Sequence, residues 1–325
     1  MKYGIQLKHM TVKKADKKIK ALITGVAGFI GSHLAERLLR EGNIVVGVDK
    51  LSPYYDPGLK WERVKKLSEY KGFCFLKKDI SRGLDIKDID CVFHLAAQPG
   101  VRKSWEDFED YINDNINATR SLLELFKNTK VNKFIFASSS SVYGNGPLPM
   151  RENQPLEPIS PYGVTKMAAE KIGLAYCRAF GIPLIVLRFF TVYGPGQRPD
   201  MMLHRFISKI LRGEQIEIYG DGNQKRDFTY VDDIVEGIIK TACIGEVGEI
   251  YNLGGGNSVS LNEVVGILRN IIQKEICIKY VDAAKGDAKC TQADMNKARE
   301  GLRFRSKVKI GEGIKKQYEW MAGLT

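Results

Sequence analysis

No two of the six cysteines stand as a CxxC pair, and the four histidines are scattered without a metal-ligand spacing. Neither a zinc site nor a disulfide framework is expected, and no other bound metal. Long apolar runs are also missing. The longest, near "IPLIVL" (Ile182 to Leu187), is strand length and far short of the roughly 20 residues that span a bilayer. The first residues hold no apolar signal-peptide core, so no membrane partner is expected and a reducing, cytoplasmic setting is. Repeats and low-complexity tracts are absent too. What remains is a chain of 325 residues, 44% hydrophobic, large enough for a Rossmann-sized core plus a smaller lobe.

A net charge of +12 raises the question of nucleic acid. Its location answers it. Residues 1–20 hold seven lysines against Asp16 alone, so half of the excess lies before the first strand. Residues 1–18 form a basic extension, expected to be poorly ordered. No stripe of basic and aromatic residues follows, so nucleic acid is not expected as a partner. The modest remainder suits an anionic small substrate.

From residue 19, apolar runs alternate with helical patterns, which predicts an α/β fold with a parallel sheet covered on both faces. Strands are expected at 20–24, 44–48, 73–77, 91–95, 133–137, 184–188 and 249–253. Helices are expected near 29–41, 59–70, 108–129, 161–180, 260–273 and 310–321. After Phe190, shorter elements are punctuated by Gly, Pro and charged loops. The reading is a doubly wound Rossmann-type domain, 19–190 plus 228–253, with a discontinuous substrate lobe, 191–227 plus 254–325, over the carboxyl ends of the sheet.

"ITGVAGFIGSHLAERLL" joins the first strand to the first helix, with Gly25, Gly28 and Gly31 spaced GxxGxxG. Side chains at such a turn would block a pyrophosphate from the free amides and dipole of the helix N-terminus. Asp49 ends the second strand, 18 residues after Gly31, where a carboxylate accepts from both adenosine ribose hydroxyls and repels a 2′-phosphate. NAD is favoured over NADP, although Lys50 is adjacent. Asp79, after the third strand, is either a polar strand end or an adenine contact.

"PYGVTK" (Pro161 to Lys166) reads as a helix start, with Ser160 at the N-cap and Pro161 in the first turn. Tyr162 and Lys166 then share one helical face. Such a pair is either a surface aromatic-cation contact or a phenol whose pKa is pulled below about 10 by the ammonium.

"TGVAGFIG", "VFHLAAQPGVRKS", "FASSSSVYG", "PYGVTK", "LRFFTVYGPGQRPDMM" and "YGDGNQKRDFTYVDDIVEG" occur in one order along the chain. In that order and spacing the sequence resembles the extended short-chain dehydrogenase/reductases of the NAD-dependent sugar epimerase/dehydratase family, from about residue 19 onward. The resemblance implies catalytic residues Ser139, Tyr162 and Lys166. It implies an NAD site formed by Gly25, Gly28, Phe29, Ile30 and Gly31 at the first turn, and by Asp49, Lys50, Asp79 and Ile80 at the adenosine end. Leu95, Ala96, Ala97, Gln98 and Asn115 follow, then Ala137, Ser138, Tyr162, Lys166 and Phe189. It also implies a homodimer, paired through the helices in "YINDNINATRSLLELF" and "KMAAEKIGLAYCRAF".

In the related 4,6-dehydratases an Asp-Glu pair follows the catalytic hydroxyl, and decarboxylases carry a Glu at the second position. Here Ser140 and Ser141 stand there. With neither acid present, the resemblance implies a redox-neutral 4-epimerase acting on a UDP-sugar, rather than a dehydratase or decarboxylase. The implied substrate contacts are Ser139, Ser140, Ser141, Thr191, Arg198 and Arg226. "FFTVYGPGQRPDM" and "SPYYDPGLKWERV" most resemble UDP-glucuronate 4-epimerases, with Arg198 a candidate partner for the sugar carboxylate. UDP-glucose and UDP-N-acetylglucosamine epimerases carry similar text. Thr191 and Ala284 depart from the usual nucleotide cradle, leaving Lys285 and Lys289 as nearby basic residues. Arg198 is otherwise expected to pair with Asp200, and Arg226 with Asp221 or Asp227.

Overall fold

The computed structural model describes residues 18–282 and 286–323. The basic extension before Lys18, together with Ala284 and Lys285, lies outside the described residues. Twelve strands follow in chain order: β1 (Lys20–Thr24), β2 (Ile44–Asp49), β3 (Phe73–Lys77), β4 (Cys91–His94), β5 (Lys133–Ser139), β6 (Leu184–Phe189), β7 (Thr191–Tyr193), β8 (Ile216–Tyr219), β9 (Lys225–Tyr230), β10 (Ile250–Leu253), β11 (Ser258–Ser260) and β12 (Ile278–Val281).

Seven of them form one parallel sheet in the order β10-β6-β5-β4-β1-β2-β3. The order reverses between β1 and β4, so a crevice opens there at the carboxyl ends. Alternate residues face opposite cores. Leu22, Val92, Phe134 and Val186 pack with Leu122, Phe126 and Leu174 on one face. Ile23, Phe93, Ile135 and Leu187 pack with Leu34, Leu38, Ile234 and Ile238 on the other. Burial on both faces is why these strands read as unbroken apolar runs.

The remaining strands form two small sheets, β11-β9-β7 and β12-β8. Helices Met202–Leu211, Leu261–Ile272 and Ile310–Ala322 accompany them. Strand β9 runs through the 227/228 boundary expected between the two lobes. Within it Asp227 is fully buried and accepts from the amides of Gly255 (2.6 Å), Gly256 (3.1 Å) and Ala293 (2.9 Å). One carboxylate thus ties β9 to the turn after β10 and to a distant segment. Asp227 is therefore not a partner for Arg226.

One expected helix divides into three. Residues 108–129 comprise an α-turn at Phe108–Tyr111, a π-helical stretch at Ile112–Asn117 and an α-helix at Ala118–Phe126. The widened turn accompanies a side-chain contact: Asn115 accepts from the Gln98 amide (2.7 Å) and donates to the Gln98 carbonyl (3.2 Å). Such turns occur frequently at functional sites.

Candidate active site

A cavity of about 640 Å³ opens at the carboxyl ends of the large sheet. The glycine turn forms its floor. Gly25 adopts φ +72°, and a Cβ there would stand 2.8 Å from the backbone of Ala96. At Gly31 a Cβ would stand 2.2 Å from the Gly25 carbonyl oxygen. The helix Phe29–Arg40 begins at Gly28 with no side chain capping its first amides. Those amides and the helix dipole make a seat for an anion.

Beside this turn, Asp49 Oδ2 accepts from the Ala27 amide at 3.1 Å and Oδ1 from Leu51 at 2.8 Å. Burial pushes its carboxyl above the usual range, against those amides and the charge of Lys60. Lys50 turns to Asp114, at 2.6 Å. Asp79 accepts from the Ser81 amide and hydroxyl (3.0 and 2.7 Å) and also lines the cavity. Arg63 donates to the carbonyls of Ala27 (2.9 Å) and Gly196 (2.8 Å), joining the glycine turn to the "GPGQR" turn.

The predicted reacting residues meet at the far end of the sheet. Ser160 Oγ accepts from the Gly163 amide at 3.1 Å and starts the helix Pro161–Phe180, as its sequence predicts. Tyr162 is half-buried and stands near Ser139, whose Oγ accepts from the Ser141 amide at 3.1 Å. The ring of Tyr111 stands edge-on to Tyr162, centroids 6.1 Å apart. Lys166 Nζ lies 4.6 Å from the centroid of Phe136.

The electrostatics differ from the sequence expectation. Burial pushes the Tyr162 phenol above its ordinary value, and the opposing influences are the nearby Ser139 hydroxyl and the charge of Arg198. Lys166 is not among them. Its own ammonium is held down, to about 7, by burial, with Glu170 pulling the other way. A buried lysine is a weak electrostatic neighbour because desolvation disfavours its charged form.

On the opposite wall, Arg198 makes a bidentate pair with Asp200, Nε to Oδ1 at 2.9 Å and Nη2 to Oδ2 at 3.0 Å. Tyr54 donates to the same Asp200 at 3.3 Å, and burial pushes its phenol up to about 12. Ser140, Ser141 and Thr191 also line the cavity. Arg226 donates to its neighbour's carbonyl, Lys225, at 2.9 Å, and no carboxylate partner is found for it among the described residues. Arg102 is stacked 3.8 Å above the centroid of Tyr219 and pairs with Asp287 at 2.9 Å. Arg205 approaches the same ring, at 5.8 Å.

Every predicted site residue therefore lines this cavity except Gln98 and Asn115. Those two stand behind it, held to each other and, through Asn115 Nδ2, to Thr165 on the Tyr-Lys helix at 3.0 Å. Sequence reasoning did not single out Tyr54, Arg63, Arg102 or Tyr219; Asp200 stands where it was expected, paired with Arg198. Their signals were present in the "SPYY", "WERV", "GVRKS" and "IYGDG" segments, but which side chain turns inward is decided by loop conformation.

A family model for the NAD dependent epimerase/dehydratase family matches residues 21–254. The chain belongs to that family. It is 43% identical over 308 residues to the UDP-glucuronate 4-epimerase of Thermodesulfobacterium geofontis, covering 92% of this chain and 95% of that protein. The crystal structure of UDP-glucuronic acid 4-epimerase from Bacillus cereus with UDP-glucuronic acid and NAD is 40% identical. It covers 94% of this chain and 100% of that one, with a TM-score of 0.92. The UDP-glucose 4-epimerase of Thermotoga maritima with UDP-glucose is 33% identical, covering 94% and 99%, with a TM-score of 0.86. The site fits the family's cofactor. An uncapped helix start behind glycines that cannot carry a side chain suits a pyrophosphate, and the half-buried Asp49 beside it suits ribose hydroxyls.

Proposed function

We propose that this epimerase/dehydratase-family chain is an NAD-dependent UDP-sugar 4-epimerase, with UDP-glucuronate and UDP-galacturonate as its preferred pair. The observation that carries the reading is that Ser139, Tyr162 and Lys166 line one cavity at the end of β5, with serines rather than acids at 140 and 141. Bound NAD would supply the hydride acceptor and, later, the hydride donor. Tyr162 takes the proton from the sugar's C4 hydroxyl and returns it after the sugar has turned over. Ser139 hydrogen-bonds the reacting oxygen, and Lys166 supports the phenolate and the nicotinamide ribose. Ser140 and Ser141 offer no carboxyl to remove the C5 proton or expel the C6 hydroxyl, which favours epimerisation over dehydration.

Gly25, Gly28, Gly31 and Asp49 would hold the pyrophosphate and adenosine ribose. Arg226, with Arg102 and Arg205 close by, would meet the diphosphate, a task for which guanidinium groups are suited. Thr191, Ser140, Ser141 and Arg198 would face the sugar. In this reading residues 19–190 plus 228–253 serve the cofactor and 191–227 plus 254–325 the nucleotide sugar. A cytoplasmic setting accords with the reaction; among the described residues no helix is long and apolar enough to cross a membrane.

The test is incubation with UDP-glucuronate, UDP-glucose and UDP-N-acetylglucosamine separately, without added cofactor, followed by sugar-nucleotide chromatography and mass spectrometry. The expected result is a new pyranose of unchanged mass, fastest from UDP-glucuronate. A product lighter by water or CO2 as the main species would overturn the reading.

A homodimer belongs to the same proposal. Phe180 and Val164 on the Tyr-Lys helix are 51% and 42% exposed, and Leu125 and Ile172 are half-buried. Leu122, Phe126 and Leu174 are buried within the monomer's own core and add nothing to an interface. Sedimentation at micromolar concentration is expected to give twice the mass of one chain. A monomer would reject the pairing.

A further inference from the structure

Beneath Tyr162 and Lys166 lies a set of buried charges that the reaction above does not use. Glu170 follows Lys166 by one helical turn and has no exposure. Its Oε1 accepts from Arg188 Nη2 at 2.5 Å, and its Oε2 from Arg188 Nε at 3.1 Å and from the Ser138 hydroxyl at 2.9 Å. Arg188, on β6 and 1% exposed, also donates to the Tyr143 hydroxyl (2.8 Å) and the Glu152 carbonyl (3.0 Å). Tyr143 in turn donates to Asn252 on β10, at 2.7 Å. Every polar edge of the pair is satisfied.

Such a pair is poor evidence for stability alone, since apolar residues of the same volume often hold a fold as well. Its position is more informative. Glu170 touches the residue next to Ser139 on one side and lies one turn from Lys166 on the other. We propose that Glu170, fixed by Arg188, is a positioning residue for the reaction: it keeps Lys166 in its ammonium form and anchors the Ser138–Ser139 end of β5. The inference rests on the epimerase reading for its kinetic consequence.

Among the described residues Glu170 is the acid whose charge reaches Lys166, across one helical turn rather than as a direct ion pair. Phe136 from β5 offers a ring face. His94 from β4 is buried and, with its pKa pushed down to about 3 by that burial, uncharged near neutrality. Tyr162 on the same helix is a neutral phenol until it acts. Asp114, from the π-helical segment, is paired with Lys50. Arg188 from β6 is occupied by Glu170. Burial draws Lys166 down to about 7 even with Glu170 opposing it. A lysine whose folded pKa lies there carries its charge below that pH and loses it above, so removing Glu170 shifts the loss to lower pH.

Glu170→Gln strands the guanidinium of Arg188, so the Glu170→Gln/Arg188→Met double variant is compared with it. The measurements are the pH dependence of epimerisation by the NAD-bound enzyme and an NMR titration of Lys166 with 13Cε-labelled lysine, its resonance assigned by loss in Lys166→Arg. Both variants are expected to titrate Lys166 about one to three pH units lower than wild type. With that shift, kcat near pH 7 falls about fivefold or more while KM stays within about twofold. An unmoved titration in the folded double variant would overturn the proposal, even if its melting temperature drops. A wild-type chain that titrates Lys166 but turns over no UDP-sugar would overturn the epimerase reading, and the titration would still decide the role of Glu170.

Discussion

Tyr162→Phe is expected to lower epimerisation by about 10²- to 10⁴-fold, the range for loss of a positioned general acid–base, while NAD stays bound. The half-buried phenol ring is packed edge-on against Tyr111, and Phe preserves that packing. Only the hydroxyl is lost. The fold and the glycine turn do not depend on it. The measurement is kcat for UDP-glucuronate alongside the NAD released per chain on denaturation. Near-normal turnover would sink the mechanism. NAD lost together with turnover would mean that the hydroxyl holds the cofactor rather than moving a proton.

The second large effect concerns which sugar is accepted. Arg198→Ala is expected to cost UDP-glucuronate about 10- to 150-fold in kcat/KM relative to UDP-glucose, the equivalent of a charge-assisted hydrogen bond of about 1.5–3 kcal/mol. Asp200 already takes Nε and Nη2 of this guanidinium, leaving Nη1 for a ligand. The hydroxyls of Ser140, Ser141 and Thr191 would complete the carboxylate's surroundings. Restraint matters as well as affinity. A 4-keto uronate is a β-keto acid, and it loses CO2 when its carboxylate swings out of the carbonyl plane. The variant should therefore leak some decarboxylated UDP-pentose, seen by mass spectrometry. Equal losses for all UDP-sugars, with no pentose, would assign Arg198 to the diphosphate and favour UDP-glucose.

Much of the fold was legible because burial on two faces leaves an unmistakable pattern. β1 and β6 fall where their apolar runs predict, and the Tyr-Lys helix starts at Ser160 and ends at Phe180, before Gly181 in the left-handed region. The glycine turn was legible for a different reason: its residues are dictated by space. The π-helical stretch at 112–117 was not, since apolar spacing does not distinguish one widened turn. Electrostatics were the least accessible. Tyr162 and Lys166 were placed on one face correctly, yet the direction of the phenol's shift depends on how deeply both are buried, and Glu170 looks in sequence like any other helical glutamate. Tyr54 and Arg102 belong to loops whose side-chain directions follow from distant partners, Asp200 and Asp287.

Asp49 shows what that interdependence means for anyone wishing to change the cofactor. An acid at this point meets a ribose hydroxyl and a basic residue a 2′-phosphate, so one exchange would seem enough to admit NADP. Here the same carboxylate receives the amides of Ala27 and Leu51, so it also buttresses the turn on which any dinucleotide must sit. Leu51 itself has φ +58°, a conformation that a β-branched or bulky residue adopts only under constraint. If Asp49 meets the adenosine ribose as proposed, cofactor choice and turn geometry are joined in one side chain. A swap to NADP requires redesigning the loop from Asp49 through Arg63 as a unit, because a single exchange at 49 removes the support before it changes the preference.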